Sequence, residues 1–183
     1  MLKYAILGHL NYTPMFGYEL KQSMESSTKY FWHCKLSQIY MTLKVLESEK
    51  KVKSSIEGQD SRPDRKRYSI TKLGKQDLQA WLENPIAEIS EKKDELLLKL
   101  YFSASLDKER MLSELELHLK LHSKRLETYV TVSKKQIEHS AKEYPQFKKD
   151  SLLWEATRRM GELSERATIE WLKETISIIQ KKF

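Results

Sequence analysis

The sequence predicts a mainly α-helical protein with one small β-element in its first half, on three observations. Apolar residues return at spacings of three and four through residues 36–46, 112–129 and 153–171, the rhythm of one helix face. Two β-prone runs, Val52 to Glu57 and Arg67 to Thr71, bracket a polar stretch from Gly58 to Lys66. Only five glycines and four prolines interrupt 183 residues, and 39% hydrophobic against 32% charged residues is the balance of a folded chain rich in solvated helix.

The elements follow in order. Leu2 to Leu10 form a short helix with Leu2, Ile6, Leu7 and Leu10 inward, stopped by Asn11-Tyr12-Thr13-Pro14, because proline lacks a donor and disfavours helix in the residue before it. Gly17 opens a second helix that Ser26-Ser27-Thr28 closes. Lys35 to about Lys50 make the third: Leu36, Ile39, Leu43 and Leu46 fall on one narrow stripe, and Ser37, Gln38, Met41, Lys44 and Ser48 lie opposite, with Tyr40 at the boundary. The two β-runs then make a hairpin, whose tip Pro63 keeps extended and out of a continuous ladder. Three helices and a hairpin is the order of a winged helix-turn-helix. Thr71 is a suitable N-cap for a fourth helix through Leu73, Leu78, Trp81 and Leu82, which Asn84-Pro85 ends. The domain boundary is set near residue 85, giving a head over 1–85 and a helical region over 86–183.

In the helical region, Asp94 to Phe102 read as a helix buried against several neighbours. Asp107 to about Ser140 form a long helix with Leu112, Leu115, Leu119, His122, Leu126 and Tyr129 on its seam. Ser151 to Lys181 form another with Leu153, Ala156, Met160, Leu163, Ala167 and Trp171. These long helices are expected to pair antiparallel. Leu117, Leu121, Leu152, Trp154 and Ile169 fall off the seams and want cover, which a second copy of the chain would supply. Gly161, costing about 1 kcal/mol against alanine inside a helix, is expected to admit a close neighbour.

Charge points to a polyanionic partner. Residues 1–85 hold 14 Lys/Arg against 9 Asp/Glu, and residues 50–75 alone hold nine basic and three acidic side chains. Such a local excess suits phosphates. The polar face of the third helix offers Ser37, Gln38, Tyr40 and Lys44 to a DNA major groove, where Gln pairs with adenine and Lys reaches guanine or phosphate. Arg62, Arg65, Lys66 and Arg67 are the wing's candidates for backbone or minor-groove contacts, with Arg65 and Arg67 on one strand face and Lys66 on the other. The alternative is a helical protein-interaction or scaffold module whose winged head serves protein contacts.

Other classes find no support. There is no phosphate cradle, nucleophile elbow or metal motif, so neither an enzyme nor a cofactor is expected. His118 and His122 have metal-capable spacing but no visible third ligand, and a seam or solvent role is expected for them and for His139. Asp94-Glu95 read as helix-start charges. The single Cys34 fits a small buried hydrophobe in a reducing compartment. No apolar run approaches a membrane span and the amino terminus lacks a signal-peptide pattern, so a cytoplasmic location is expected. Trp154 and Trp171 are candidates for an effector cavity, since aromatic side chains favour flat organic ligands; core packing is the competing role for these and for Trp32 and Trp81.

Leu2-Lys3-Tyr4-Ala5-Ile6-Leu7-Gly8, Gly17-Tyr18-Glu19-Leu20, Phe31-Trp32, Ser37-Gln38-Ile39-Tyr40-x-x-Leu43 and Pro63 through Thr71 resemble, in that order, the PadR family of bacterial transcriptional regulators. Asp94-Glu95 and Glu170-Trp171-Leu172 are similar to the dimerisation region of its long-helix branch, which includes phenolic-acid-responsive repressors and virulence-activator types. The resemblance implies a homodimer joined by its carboxyl-terminal helices, two winged heads on a palindromic operator, repression of transcription, and release by a small aromatic ligand. Trp154 stands where phenolic-acid responders are expected to carry a polar residue, so the class of aromatic ligand is left open.

Overall fold

The computed structural model describes residues 1–28, 30–59, 62–89 and 93–183, and of residues 59 and 62–64 the backbone alone. They fall into two compact units, residues 1–89 and 90–183.

The first unit is built from α1 (Leu2–Tyr12), β1 (Met15–Phe16), α2 (Gly17–Ser27), α3 (Leu36–Ser48), β2 (Val52–Gln59), β3 (Arg62–Ile70) and α4 (Lys72–Glu83). Its core is Ile6, Leu7 and Leu10 of α1, Leu20 and Met24 of α2, and Ile39, Leu43 and Leu46 of α3, closed by Val52, Tyr68 and Leu78. Helices α1 and α3 thus bury the faces their apolar spacing marked. Cys34 joins this core with its thiol 3.8 Å from the Met24 sulfur, and burial pushes that thiol's pKa up. The sheet runs β1-β3-β2 and is antiparallel throughout.

Two local devices set the path from α3 into the sheet. Lys50 takes a left-handed φ of 56°, while Lys51 N–H donates to Leu46 O and Lys50 N–H to Glu47 O, so α3 ends in a Schellman turn without the usual glycine. Thr71 then caps α4 by accepting from Gly74 N–H at 3.1 Å, a cap worth about 1 kcal/mol. Asp77 of α4 receives Lys51 at 2.8 Å and Lys3 of α1 at 3.4 Å.

The hairpin departs from expectation. Its ladder runs from Val52↔Ile70 through Glu57↔Arg65 to Gln59↔Arg62, with a register shift between Glu57 and Gln59, so both strands extend into the stretch read as loop. Pro63 is tolerated because β1 pairs only with Arg67 and Tyr68, leaving that end of β3 an edge. In α4, Leu73 and Leu82 are exposed, Leu78 enters the core, and Trp81 stacks on Tyr4 at 4.6 Å.

The second unit contains α5 (Glu95–Tyr101), α6 (Lys108–Thr128), one π-helical turn (Tyr129–Ser133), α7 (Lys134–Glu143) and α8 (Lys148–Lys182). Asp94 caps α5 by accepting from Leu97 N–H at 3.1 Å. The core is Met111 and Leu115 of α6 against Leu172, Ile176 and Ile179 of α8, with Leu96, Leu100, Leu112, Leu119 and Trp171 at its edge. The predicted seam of α6 holds. That of α8 does not: Leu153, Ala156, Met160, Leu163 and Ala167 are exposed, whereas Ser151, Arg158, Glu162 and Glu165 are buried.

Ion pairing explains the inversion, because a buried charge is tolerated only when its partners are buried with it. Arg158 donates to Glu155 at 2.7 Å, to Glu162 at 2.9 Å and to the Tyr129 carbonyl at 3.1 Å, at the start of the π turn. Glu162 also receives Arg159 and Arg166, and its pKa falls to about 2 through the guanidinium hydrogen bonds of Arg158 first, then Arg159 and Arg166. Glu165 accepts from His122 Nδ1 at 2.5 Å and from Arg125 at 3.3 Å, so His122 has a carboxylate partner that its own helix did not reveal. Gly161 admits the Tyr129 ring, which a Cβ there would strike. Helix α5 also differs from expectation, with Leu97, Leu98, Tyr101 and Phe102 exposed and only Leu96 and Leu100 facing the core. Among the described residues no helix is long and apolar enough to cross a membrane, and no group of three metal-ligating side chains converges.

Candidate nucleic-acid interface

The polar side of α3 faces outward because Ile39, Leu43 and Leu46 fill the core. Ser37, Gln38, Tyr40 and Lys44 are all exposed on it. Gln38 is not idle there: its side-chain carbonyl accepts from Lys35 N–H at 2.7 Å and caps the helix start. A bidentate contact to adenine therefore requires Gln38 to leave that bond, a cost that the sequence did not display.

Tyr40 leans back over the first turn of α2. A Cβ placed on Gly17 would stand 2.5 Å from its Cε1 and 2.8 Å from its Cζ, yet Tyr40 keeps 47% of its surface open. Helix α2 itself starts on a reach-back bond, Phe16 N–H donating to Glu19 Oε2 at 2.9 Å.

The wing presents its basic residues on two faces. β1 pairs Phe16 opposite Arg67, and the Phe16 ring lies 4.4 Å from the Arg67 guanidinium and 5.7 Å from that of Arg65, a cation–π platform for both. Arg67 is further held by Glu57 at 2.5 Å, and this bond raises its pKa. Lys66, on the other face as alternation requires, meets Glu47 of α3 at 3.7 Å, and Glu47 also accepts from the Ser54 hydroxyl of β2. The side chain of Arg62 lies outside the described residues.

Tyr40, Arg65 and Lys66 line one open hollow together with Phe16, Gly17, Tyr18, Glu19 and Gln22. Ser37, Gln38, Lys44 and Arg67 lie outside its lining. Phe16, Gly17 and Glu47 escaped the sequence reading. The two-residue strand β1 has no periodicity to detect, and its pairing with β3 spans some fifty residues.

The effector candidates are not brought together. Trp154 packs at 5.8 Å against Phe147, itself 5.9 Å from Tyr144. Trp171 borders the helical core. The two tryptophans stand seventeen positions apart on one helix, about 25 Å at the α-helical rise, so they do not share a small-ligand pocket within one chain. Trp32 is exposed on the loop before α3, and Trp81 packs on the core of the first unit.

The family described as transcriptional regulator PadR-like matches residues 6–80, and that described as virulence activator alpha C-term matches residues 92–180. The negative transcriptional regulator PadR of Bacillus subtilis is 38% identical over 111 residues, 60% of this chain and 60% of that protein, so the match spans less than two thirds of that relative. In structure, the chain resembles Bacillus subtilis PadR in complex with operator DNA, at a TM-score of 0.82 and 28% identity over 97% of each chain. It also resembles the same protein in complex with p-coumaric acid, at a TM-score of 0.74 and 27% identity over 98% and 99% of the two chains.

Proposed function

The chain belongs to the PadR-like family of transcriptional regulators, and from that membership we propose that it is a sequence-specific DNA-binding repressor that grips a palindromic operator as a homodimer. Residues 1–85 read the DNA; residues 86–183 join two chains and receive the effector. The observation that carries the DNA reading is the hollow shared by Tyr40 of α3 and by Arg65 and Lys66 of the wing. A major groove admits one helix, and phosphates flank it on both sides, so a polar helix face bordered by cations matches both needs.

In this reading Ser37, Gln38, Tyr40 and Lys44 meet base edges and adjacent phosphates. Arg65 and Lys66 hold the backbone, with Arg62 next in the wing. Arg67, clamped by Glu57 and Phe16, acts chiefly to keep the wing in shape. The exposed apolar stripe of α8, Leu153, Ala156, Met160 and Leu163, supports pairing of two chains, since its burial would supply the cover that this unit withholds from it.

A small aromatic ligand acts as effector. Support comes from the aromatic cluster of Tyr144, Phe147 and Trp154 and from the likeness to a p-coumaric acid complex. Trp171, remote from that cluster on the same helix, contributes only if the partner chain completes its surroundings. A ligand that binds the DNA-free arrangement more tightly lowers operator affinity by its differential binding energy.

Fluorescence anisotropy with a duplex from the chain's own upstream region, against a shuffled duplex at two salt concentrations, tests the proposal. Preference for the upstream duplex, with affinity falling steeply as salt rises, supports it. Equal or absent binding would favour a protein-interaction role for the head.

A further inference from the structure

Gly17 is a glycine that its own backbone does not require. No glycine among the described residues has a positive φ, so left-handed geometry is not the reason, and in an eleven-residue helix alanine is the better helix former. What Gly17 provides is room. The three atoms nearest a Cβ built there all belong to Tyr40, its Cε1 at 2.5 Å, Cζ at 2.8 Å and hydroxyl oxygen at 3.0 Å, inside the distance that side chains keep from one another.

We propose that Gly17 is a specificity-determining positioning residue: its missing side chain lets the Tyr40 ring lie against α2, and this fixes where the Tyr40 hydroxyl meets DNA. The inference rests on the DNA-binding reading above. A tyrosine on an open helix face samples several staggered rotamers. Resting on Gly17, Tyr40 keeps one of them before DNA arrives, so its ordering cost falls on folding and not on binding. With a methyl group at position 17 the ring must shift off its place on α2. Because Tyr40 is 47% exposed it swings into water without opening the core, and its hydroxyl moves off the groove-facing position.

The test is a double-mutant cycle on the full chain, with operator affinity measured by anisotropy and folding by thermal melting for the unaltered chain, Gly17→Ala, Tyr40→Ala and the pair. Gly17→Ala is expected to weaken operator binding about tenfold, the scale of one lost base-edge contact, while melting at or above the temperature of the unaltered chain. In the Tyr40→Ala background it is expected to change binding less than about twofold, since interacting residues are non-additive. Equal losses in both backgrounds, unchanged binding of either single variant, or failure of Gly17→Ala to fold would overturn the inference. If the unaltered chain does not distinguish operator from shuffled duplex, the DNA-binding reading itself fails and takes this inference with it, a result visible before any variant is compared.

Discussion

Lys66 of β3 and Glu47 of α3 face each other at 3.7 Å, joining the wing to the helix that carries Tyr40. On the proposed function Lys66 would exchange this carboxylate for a DNA phosphate, and Glu47 would be left facing a polyanion. Glu47→Gln keeps an acceptor for Ser54 and removes the charge. Affinity for operator is expected to rise two- to fivefold at low salt, the scale of an exposed ion pair worth about 0.2–1 kcal/mol, and the gain should shrink as salt screens it. Weaker binding by this variant would assign Glu47 the role of holding the wing in place.

Phe16 carries Arg65 and Arg67 of the wing on its ring. Phe16→Leu preserves the apolar bulk and removes the π face, each such contact being worth about 0.5–1 kcal/mol at an exposed site. Affinity should fall about three- to fivefold and equally for operator and shuffled duplex, because Arg65 is proposed to address backbone and Arg67 to hold the wing's shape. A loss confined to the operator would place Phe16 in base readout.

The α8 stripe predicts an oligomeric outcome. Met160 and Leu163 are 64% and 47% exposed within one chain, so Met160→Glu with Leu163→Glu should leave helical content intact in circular dichroism while converting a sedimenting dimer into monomer. Operator affinity should drop with it, since two half-sites are then bound without linkage. A variant that stays dimeric would move the interface elsewhere.

His9 makes the first unit acid-sensitive. Burial lowers its pKa from the ordinary 6.5 to about 4, and its Nδ1 pairs with the Ser23 hydroxyl at 2.9 Å. The ring is therefore neutral in the fold and charged in the unfolded chain between those values. This contribution is complete above pH 6.5 and is lost as pH falls toward 4, by about 3 kcal/mol. His9→Gln, which retains a polar partner for Ser23, should melt with a flatter pH profile across that interval. An unchanged profile would exclude His9 as the source.

The head was legible in sequence because α1 and α3 each bury one apolar face on one core. Ile39, Leu43 and Leu46 could point nowhere else, and their burial sends Gln38 and Lys44 outward. The exposure of Tyr40 could be read in the same way, but its support by Gly17 could not, since that contact joins two helices whose approach no spacing encodes. Helix α8 shows the opposite failure. Its apolar stripe was the visible signal, yet Arg158, Glu162 and Glu165 turn inward because they satisfy one another and the residues of α6 and the π turn. An ion-pair network is invisible to hydrophobic periodicity, and it reversed which face of the helix the chain buries.

The most direct test of the account is selection of duplexes from a random-sequence pool by the full-length protein. Two winged heads related by a two-fold axis should enrich an inverted repeat with half-site centres about 10 base pairs, or a multiple of that, apart, and the enriched sequence should lose affinity steeply as salt rises. Enrichment of nothing, or of a sequence without two-fold symmetry, would contradict it.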